Sequence, residues 1–92
     1  MKIKVVYFSQ VRSAAGIAEE QIDVDTGCTL FELAKIVCTL HGSNLENLLF
    51  DHQGTMRLSI MYSVNNEQRF VNDTAPLAAN DEVLIIAPMS GG

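Results

Sequence analysis

The chain ends with Val83-Leu84-Ile85-Ile86-Ala87, followed directly by Pro88-Met89-Ser90-Gly91-Gly92. An unbroken apolar run of this kind is typical of a strand that is covered on both faces, by its own sheet or by a partner. Glycine has no Cβ, so a Gly-Gly end lets another molecule approach the backbone closely. These features predict a domain over residues 1–87, whose last strand delivers an extended, reactive tail over residues 88–92.

The clearest helix begins at Thr29, which forms a capping box with Glu32 three residues later. It is predicted to end at His41-Gly42, since glycine commonly follows the last turn of a helix. The apolar residues between these limits recur at helical spacing and are expected to face the core. They are Leu30, Leu33, Ala34, Val37 and Leu40.

Shorter elements flank this helix. Residues 2–8 and 20–24 predict two strands that form a hairpin, because both are rich in β-branched or alternating apolar residues. The predicted connection between them covers residues 11–16, with a tight turn at Gly16. After the helix, the sequence predicts a short second helix over residues 43–50, with Leu45, Leu48 and Leu49 facing inward. Two strands follow at 58–64 and 68–71, joined by a turn at Asn65-Asn66. The last predicted strand covers residues 82–87.

A hairpin, a helix across it and then further strands is the element order of a β-grasp fold. We therefore predict an α+β domain with a mixed five-stranded sheet and one main helix. In this fold the last strand lies beside the first in the middle of the sheet, which suits the apolar run that ends the domain.

Charge and composition exclude several classes of function. The 92 residues suffice for one domain. Six scattered basic residues against eleven acidic residues give a net charge of −5, which lacks the footprint of a nucleic-acid-binding protein and favours a partner with a basic surface. No segment has the length of a membrane span or the form of a signal peptide, so we expect a cytoplasmic protein.

The side chains that most often carry out chemistry form no catalytic pattern. Cys28 and Cys38 lack metal-ligand spacing and are expected to be free thiols, with Cys28 the closer to a helix start. His41 is expected to interact with the helix dipole, and His52 lies in a polar loop. The adjacent pairs Glu19-Glu20 and Asp81-Glu82 point to opposite faces of their strands, so they are interpreted as solvated edges rather than as acid–base pairs.

Several ordered motifs together resemble the MoaD type of ubiquitin-like sulfur carrier, the small subunit of molybdopterin synthase in the MoaD/ThiS family. The resemblance covers essentially the whole chain. The chain departs from the family at Ala79-Asn80-Asp81, where Asp-Gly-Asp is usual, but asparagine can also adopt the left-handed conformation. The motifs are Ile3 to Phe8 with Val11-Arg12, Thr29-Leu30 with Leu33, Val64-Asn65-Asn66, Pro76-Leu77, Asn80 to Val83, and Pro88 to Gly92.

This resemblance implies a function for the tail. A ubiquitin-activator-like adenylating enzyme would use ATP to convert the carboxylate of Gly92, which follows Gly91, into an acyl-adenylate. A sulfur donor protein would then leave a thiocarboxylate. The large subunit of molybdopterin synthase would accept the tail and pass the sulfur to cyclic pyranopterin monophosphate, within a two-plus-two heterotetramer. The chain itself would be a non-catalytic sulfur-donating subunit that binds no cofactor and no metal.

Docking of such a partner should bury an apolar surface beside the tail. Val83 and Ile85 share one face of the last strand, and Ile86 lies on the other. If the first pair faces the helix, the candidates for partner contact are Phe70, Ile86, Met89 and Ser90.

Three alternatives remain open at the level of sequence. A thiamin-type sulfur carrier uses the same chemistry, but such proteins are usually shorter and lack the insert at residues 43–50. A ubiquitin-like modifier would conjugate through Gly92 to lysines of other proteins. A plain β-grasp interaction module would leave the tail without a role.

Overall fold

A computed structural model describes residues 1–88 of the chain, so the predictions for Met89, Ser90, Gly91 and Gly92 lie outside the described residues. The strands are β1 (Lys2–Phe8), β2 (Glu19–Asp23), β3 (Met61–Val64), β4 (Glu67–Arg69) and β5 (Glu82–Ala87). They form one five-stranded sheet in the order β2-β1-β5-β3-β4. Strand β5 lies parallel to β1 and antiparallel to β3, which confirms the predicted mixed sheet and the central position of the last strand.

The helices within residues 1–88 are α1 (Ser9–Ala15), α2 (Leu30–His41) and α3 (Ser43–Leu49). The capping box of α2 is confirmed: the Thr29 side chain accepts from the Glu32 N–H, and the Glu32 carboxylate accepts from the Thr29 N–H at 3.1 Å. Helix α3 confirms the predicted short second helix, with Leu45 and Leu49 buried and Leu48 half-buried.

Leu40 was wrongly predicted to face the core, because 58% of it is exposed. The buried residues of α2 span an arc from Leu33 to Cys38 around the helix axis. At about 100° per residue, His41 falls at the centre of this arc and Leu40 falls just beyond its edge. The half-buried His41 therefore occupies the inward position of the last turn.

Helix α1 was not predicted, since residues 11–16 were interpreted as a connection. The helix has seven residues and buries only Val11 completely, so it leaves no periodic apolar pattern in the sequence. The predicted turn at Gly16 is confirmed: Gly16 adopts φ 77° and its N–H donates to the carbonyl of Arg12. Residues 1–88 thus contain three helices, and α2, with twelve residues, is the main helix that the sequence predicted.

Strand β3 begins later than predicted, at Met61 rather than at residue 58. The N–H of Ile60 donates to the carbonyl of Arg57, so the chain turns there and leaves Leu58 86% exposed. Strand β4 covers Glu67–Arg69 instead of 68–71. The predicted Asn65-Asn66 turn is confirmed, with φ values of 52° and 70°.

A hydrogen-bonded clamp holds the start of β5. Asp81 was interpreted as a solvated edge residue, which is wrong, because its side chain is buried and accepts from the Asn65 amide at 2.8 Å and from the Ala78 N–H at 2.8 Å. Asn65 in turn accepts from the Glu82 N–H at 2.9 Å. Asn80 takes φ 67°, so it supplies the left-handed conformation expected of it. The clamp ties the β3–β4 turn to β5 and fixes the register of the central strand.

Candidate functional site

The two faces of the sheet differ in what covers them. Along β5, Val83 and Ile85 are fully buried on the face toward the helices, whereas Leu84 and Ile86 are half-buried on the opposite, outer face. Strand β1 alternates in the same way, with Val5 and Tyr7 inward. The condition under which Ile86 was proposed as a contact residue therefore holds.

Strand register places the outer residues in rows across β1, β5 and β3. Phe8, Ile86 and Met61 form one row, and the next row contains Val6 and Leu84. We call these five residues the outer apolar face. Phe8 and Met61 are among the exposed large hydrophobic residues of the chain. The face lies at the carboxyl end of β5, beside the point where the chain passes into residues 88–92.

The other end of the outer surface is charged. Lys4 lies 3.1 Å from Glu19 and 3.5 Å from Glu82, and Lys2 lies 3.3 Å from Asp23. The hydrogen bond and negative charge of Glu19, followed by those of Glu82, raise the pKa of Lys4. Because these groups are exposed to water, the ion pairs add little to stability. They give the outer surface a polar end, away from the tail, and an apolar end beside it.

Phe70 extends the apolar end beyond the sheet. It follows β4 and is 67% exposed. Together with Leu58 and Met61 it lines a groove of about 490 Å³. Met61 belongs both to this groove and to the row that contains Ile86, so the two predicted contact residues within the described chain, Ile86 and Phe70, lie on either side of Met61.

Several residues of this surface were missing from the sequence prediction. Phe8, Met61, Val6 and Leu84 join Ile86 only through strand register, which requires the sheet order. Leu58 was assigned to a strand, and its exposure follows from the turn at Arg57. Alternation along β1 was the available signal, since it puts Val6 and Phe8 on the face opposite Tyr7.

The end of β5 adjoins the start of α1. Ala87 is buried and forms an isolated parallel bridge with Ser9, the first residue of α1. Pro88 is exposed and is the last described residue. The four predicted site residues beyond it, which include the reacting Gly92, remain predictions.

A second polar cluster lies on the helix side of the sheet. Glu20 accepts a hydrogen bond of 2.5 Å from the Tyr7 hydroxyl and pairs with Nε2 of His41. Glu20 was interpreted as a solvated edge residue, which is wrong, because its position in β2 points inward to α2 while Glu19 points outward to Lys4. Burial, and then the hydrogen bond to Glu20, raise the pKa of Tyr7. This cluster fastens the last turn of α2 to β1 and β2.

The two cysteine thiols lie in the interior of the domain. Cys28 and Cys38 are buried, and burial raises the pKa of each thiol, that of Cys38 to about 11. A nucleophilic cysteine needs a lowered pKa, so neither is activated. Within residues 1–88, no three His, Cys, Asp or Glu side chains gather as metal ligands, and no helix is long and apolar enough to cross a membrane.

Known proteins match this chain over nearly its whole length. The sequence pattern of the ThiS family matches residues 5–92. A protein of Chlamydomonas reinhardtii named molybdopterin synthase sulfur carrier subunit is 29% identical over the full length of both chains.

Solved structures from an archaeon share the fold. The crystal structure of SAMP1 from Haloferax volcanii superposes with a TM-score of 0.89 at 25% identity and covers all of both chains. A crystal structure of H. volcanii small archaeal modifier protein 1 gives a TM-score of 0.85 at 23% identity, over 96% of this chain and 98% of that one.

Proposed function

The chain belongs to the ThiS family, and from this premise we propose that it is the sulfur-carrying small subunit of a molybdopterin synthase. The observation that carries the proposal is the placement of the outer apolar face at the carboxyl end of β5. A partner that covers Phe8, Ile86 and Met61 would receive residues 88–92 directly, because β5 runs from this face into the tail.

The proposed chemistry takes place on the Gly92 carboxylate. With a pKa of about 3.5, this group is an anion at neutral pH and a poor electrophile. Attack of the carboxylate on the α-phosphorus of ATP would release pyrophosphate and form an acyl-adenylate. Sulfur from a persulfide or hydrosulfide would then displace AMP, and reduction of any remaining disulfide by a thiol would leave a Gly92 thiocarboxylate. The adenylating enzyme and the sulfur donor protein would supply ATP binding and sulfur.

The tail is long enough for the second half of the reaction. Residues 88–92 span about 16 Å when extended, which suffices to enter a partner's pocket from the surface of this domain. In the large synthase subunit, the thiocarboxylate sulfur would attack a carbon of cyclic pyranopterin monophosphate and displace the oxygen bonded to it. Hydrolysis of the resulting thioester would leave the sulfur on the pterin and return Gly92 as a carboxylate. This domain would position the tail, and the large subunit would supply the groups that act on the pterin.

Binding would rest mainly on the apolar end of the outer surface. Apolar contacts at the centre of an interface contribute most of the affinity, whereas exposed charges chiefly affect association rates and specificity. The outer apolar face and Phe70 fit the first role. The ion pairs at Lys2 and Lys4 fit the second, at the rim.

A reconstituted transfer assay tests this proposal. Thiocarboxylated chain would be mixed with a molybdopterin synthase large subunit and cyclic pyranopterin monophosphate, and the dithiolene product measured. We expect product that depends on the large subunit and is absent for a chain lacking Gly91 and Gly92. Product formation by that truncated chain would overturn the proposal, as would failure of the intact thiocarboxylate in a reaction that a known small subunit supports.

A second candidate function is protein modification through Gly92. The observation that favours it is the TM-score of 0.89 with SAMP1 over the whole of both chains. A modifier would form amide adducts with lysines of other proteins after adenylation. Denaturing electrophoresis and mass spectrometry of cell extract would reveal such adducts, and a Gly-Gly remnant on target lysines would establish this function.

A further inference from the structure

The pairing of strand β5 with both of its neighbours, β1 and β3, ends at the same row of the sheet. On one side, β1 ends at Phe8, which is in register with Ile86. On the other side, β3 begins at Met61, which is in register with the same Ile86. Beyond this row, the described chain adds one further backbone bridge to β5, between Ser9 and Ala87. The sheet therefore stops one residue before Pro88.

Ser9 has an unusual backbone at this point. Its φ is 55°, in the left-handed region that side chains with a Cβ rarely adopt. The other residues with positive φ within residues 1–88 are four glycines and three asparagines, Asn65, Asn66 and Asn80. Glycine and asparagine both tolerate this conformation. The Ser9 side chain is exposed and makes no hydrogen bond to the described residues, so this residue acts through its backbone.

The left-handed conformation of Ser9 turns β1 into α1 without an intervening loop. Strand β1 ends at Phe8 and α1 begins at Ser9. Val11, which is fully buried, anchors α1, and α1 packs against β5 and α3. If Ser9 kept the extended backbone of β1, the strand would continue past the row of Phe8 and Ile86 instead of entering α1.

We propose that Ser9 is a positioning residue for the sulfur-carrying tail: its left-handed turn ends the pairing of β1 with β5 at Ala87, so that β1 does not compete with the partner for the backbone that follows. This inference rests on the proposed function. Strain in the backbone often marks a functional position, and here it lies at the bridge from which the tail leaves the sheet. The tail must enter a foreign pocket, so backbone pairing with its own domain would compete with that step.

Substitutions at Ser9 separate this role from general stability. Ser9→Gly keeps the left-handed turn without steric cost, whereas Ser9→Val disfavours it, because a β-branched side chain is the least compatible with positive φ. Asn80 provides a matched control. It is also exposed with positive φ, at 67°, but it precedes the opposite end of β5. Asn80→Val imposes the same kind of backbone cost far from the tail.

The experiment measures kcat and KM for sulfur transfer with thiocarboxylated wild type and these three variants. The temperature is chosen so that circular dichroism shows each variant to be folded. We expect Ser9→Val to lower kcat about tenfold to a hundredfold, the cost typical of a displaced reacting group. Ser9→Gly and Asn80→Val should transfer sulfur at the wild-type rate.

Equal kcat values for Ser9→Val and Asn80→Val would overturn the inference, while a wild type that transfers no sulfur would instead overturn the proposed function. If Ser9→Val does not fold, Ser9→Thr decides by the same criterion, since it keeps the hydroxyl and adds only the branching methyl group. A Ser9→Thr variant with wild-type kcat would contradict the positioning role.

Discussion

Truncation of Phe70 should weaken partner binding far more than it weakens the fold. A phenylalanine side chain presents about 200 Å² of surface. Phe70 is 67% exposed, which leaves roughly 130 Å² for a partner to cover, worth about 3 kcal/mol at about 25 cal/mol per Å². Phe70→Ala is therefore expected to raise the Kd for the large synthase subunit roughly 100-fold.

The same variant should remain stably folded. Only the buried third of Phe70 contributes to packing within the domain, so its loss should lower the free energy of unfolding by under about 2 kcal/mol. Leu40→Ala is the matched control, because Leu40 is 58% exposed but lies on α2, on the other side of the sheet. It removes a comparable exposed apolar side chain from a surface that we do not place in the interface.

Isothermal titration calorimetry against the large subunit measures the binding change, and urea unfolding measures stability. We expect Phe70→Ala to lose affinity and Leu40→Ala to bind like the wild type. Equal affinities of Phe70→Ala and the wild type would refute the assignment of this residue to the interface. Equal losses in both variants would show that apolar area anywhere on the domain has the same effect.

Three further predictions concern stability. Glu20→Ala should lower the free energy of unfolding in urea by about 1–3 kcal/mol, because it leaves the Tyr7 hydroxyl without its acceptor; an unchanged midpoint would contradict the role of this cluster. Tyr62→Phe should melt at the same temperature as the wild type or higher, since the buried Tyr62 hydroxyl has no hydrogen-bond partner among the described residues. A lower melting temperature of this variant would show that the hydroxyl makes a stabilising hydrogen bond. Burial raises the pKa of Cys38 from 9.0 to about 11, so the folded thiol stays protonated to a higher pH than the unfolded one, and the associated stability, at most about 3 kcal/mol, is present below pH 9 and lost as the pH rises toward 11. The free energy of unfolding of Cys38→Ala should therefore fall less steeply than that of the wild type over this pH range. Identical pH profiles of the two proteins would contradict the raised pKa of Cys38.

The features that were predictable from the sequence are those with a strong local signal. The capping box at Thr29 and Glu32 depends on residues three apart, and it formed as expected. The order of the elements predicted a β-grasp sheet with the last strand in the middle, and the apolar run from Val83 agreed with that position, which the sheet order confirms.

The features that were not predictable depend on contacts between distant segments. Helix α1 is held by one buried residue, Val11, and packs against β5 and α3, so its local sequence shows no period. The spacing of the buried residues of α2 already places His41 rather than Leu40 inward, but its partner there, Glu20 of β2, lies far away in the sequence. The outer apolar face likewise depends on distant segments, because Phe8 and Met61 both lie beside Ile86. No local sequence pattern predicts the strand register that places them there.

The most direct test of the central claim is the intact mass of the chain after incubation with an adenylating enzyme, ATP and a sulfur donor. We expect a gain equal to the exchange of one oxygen atom for sulfur, located by fragmentation at Gly92. An unchanged mass, in a reaction that converts a known sulfur carrier alongside, would contradict it.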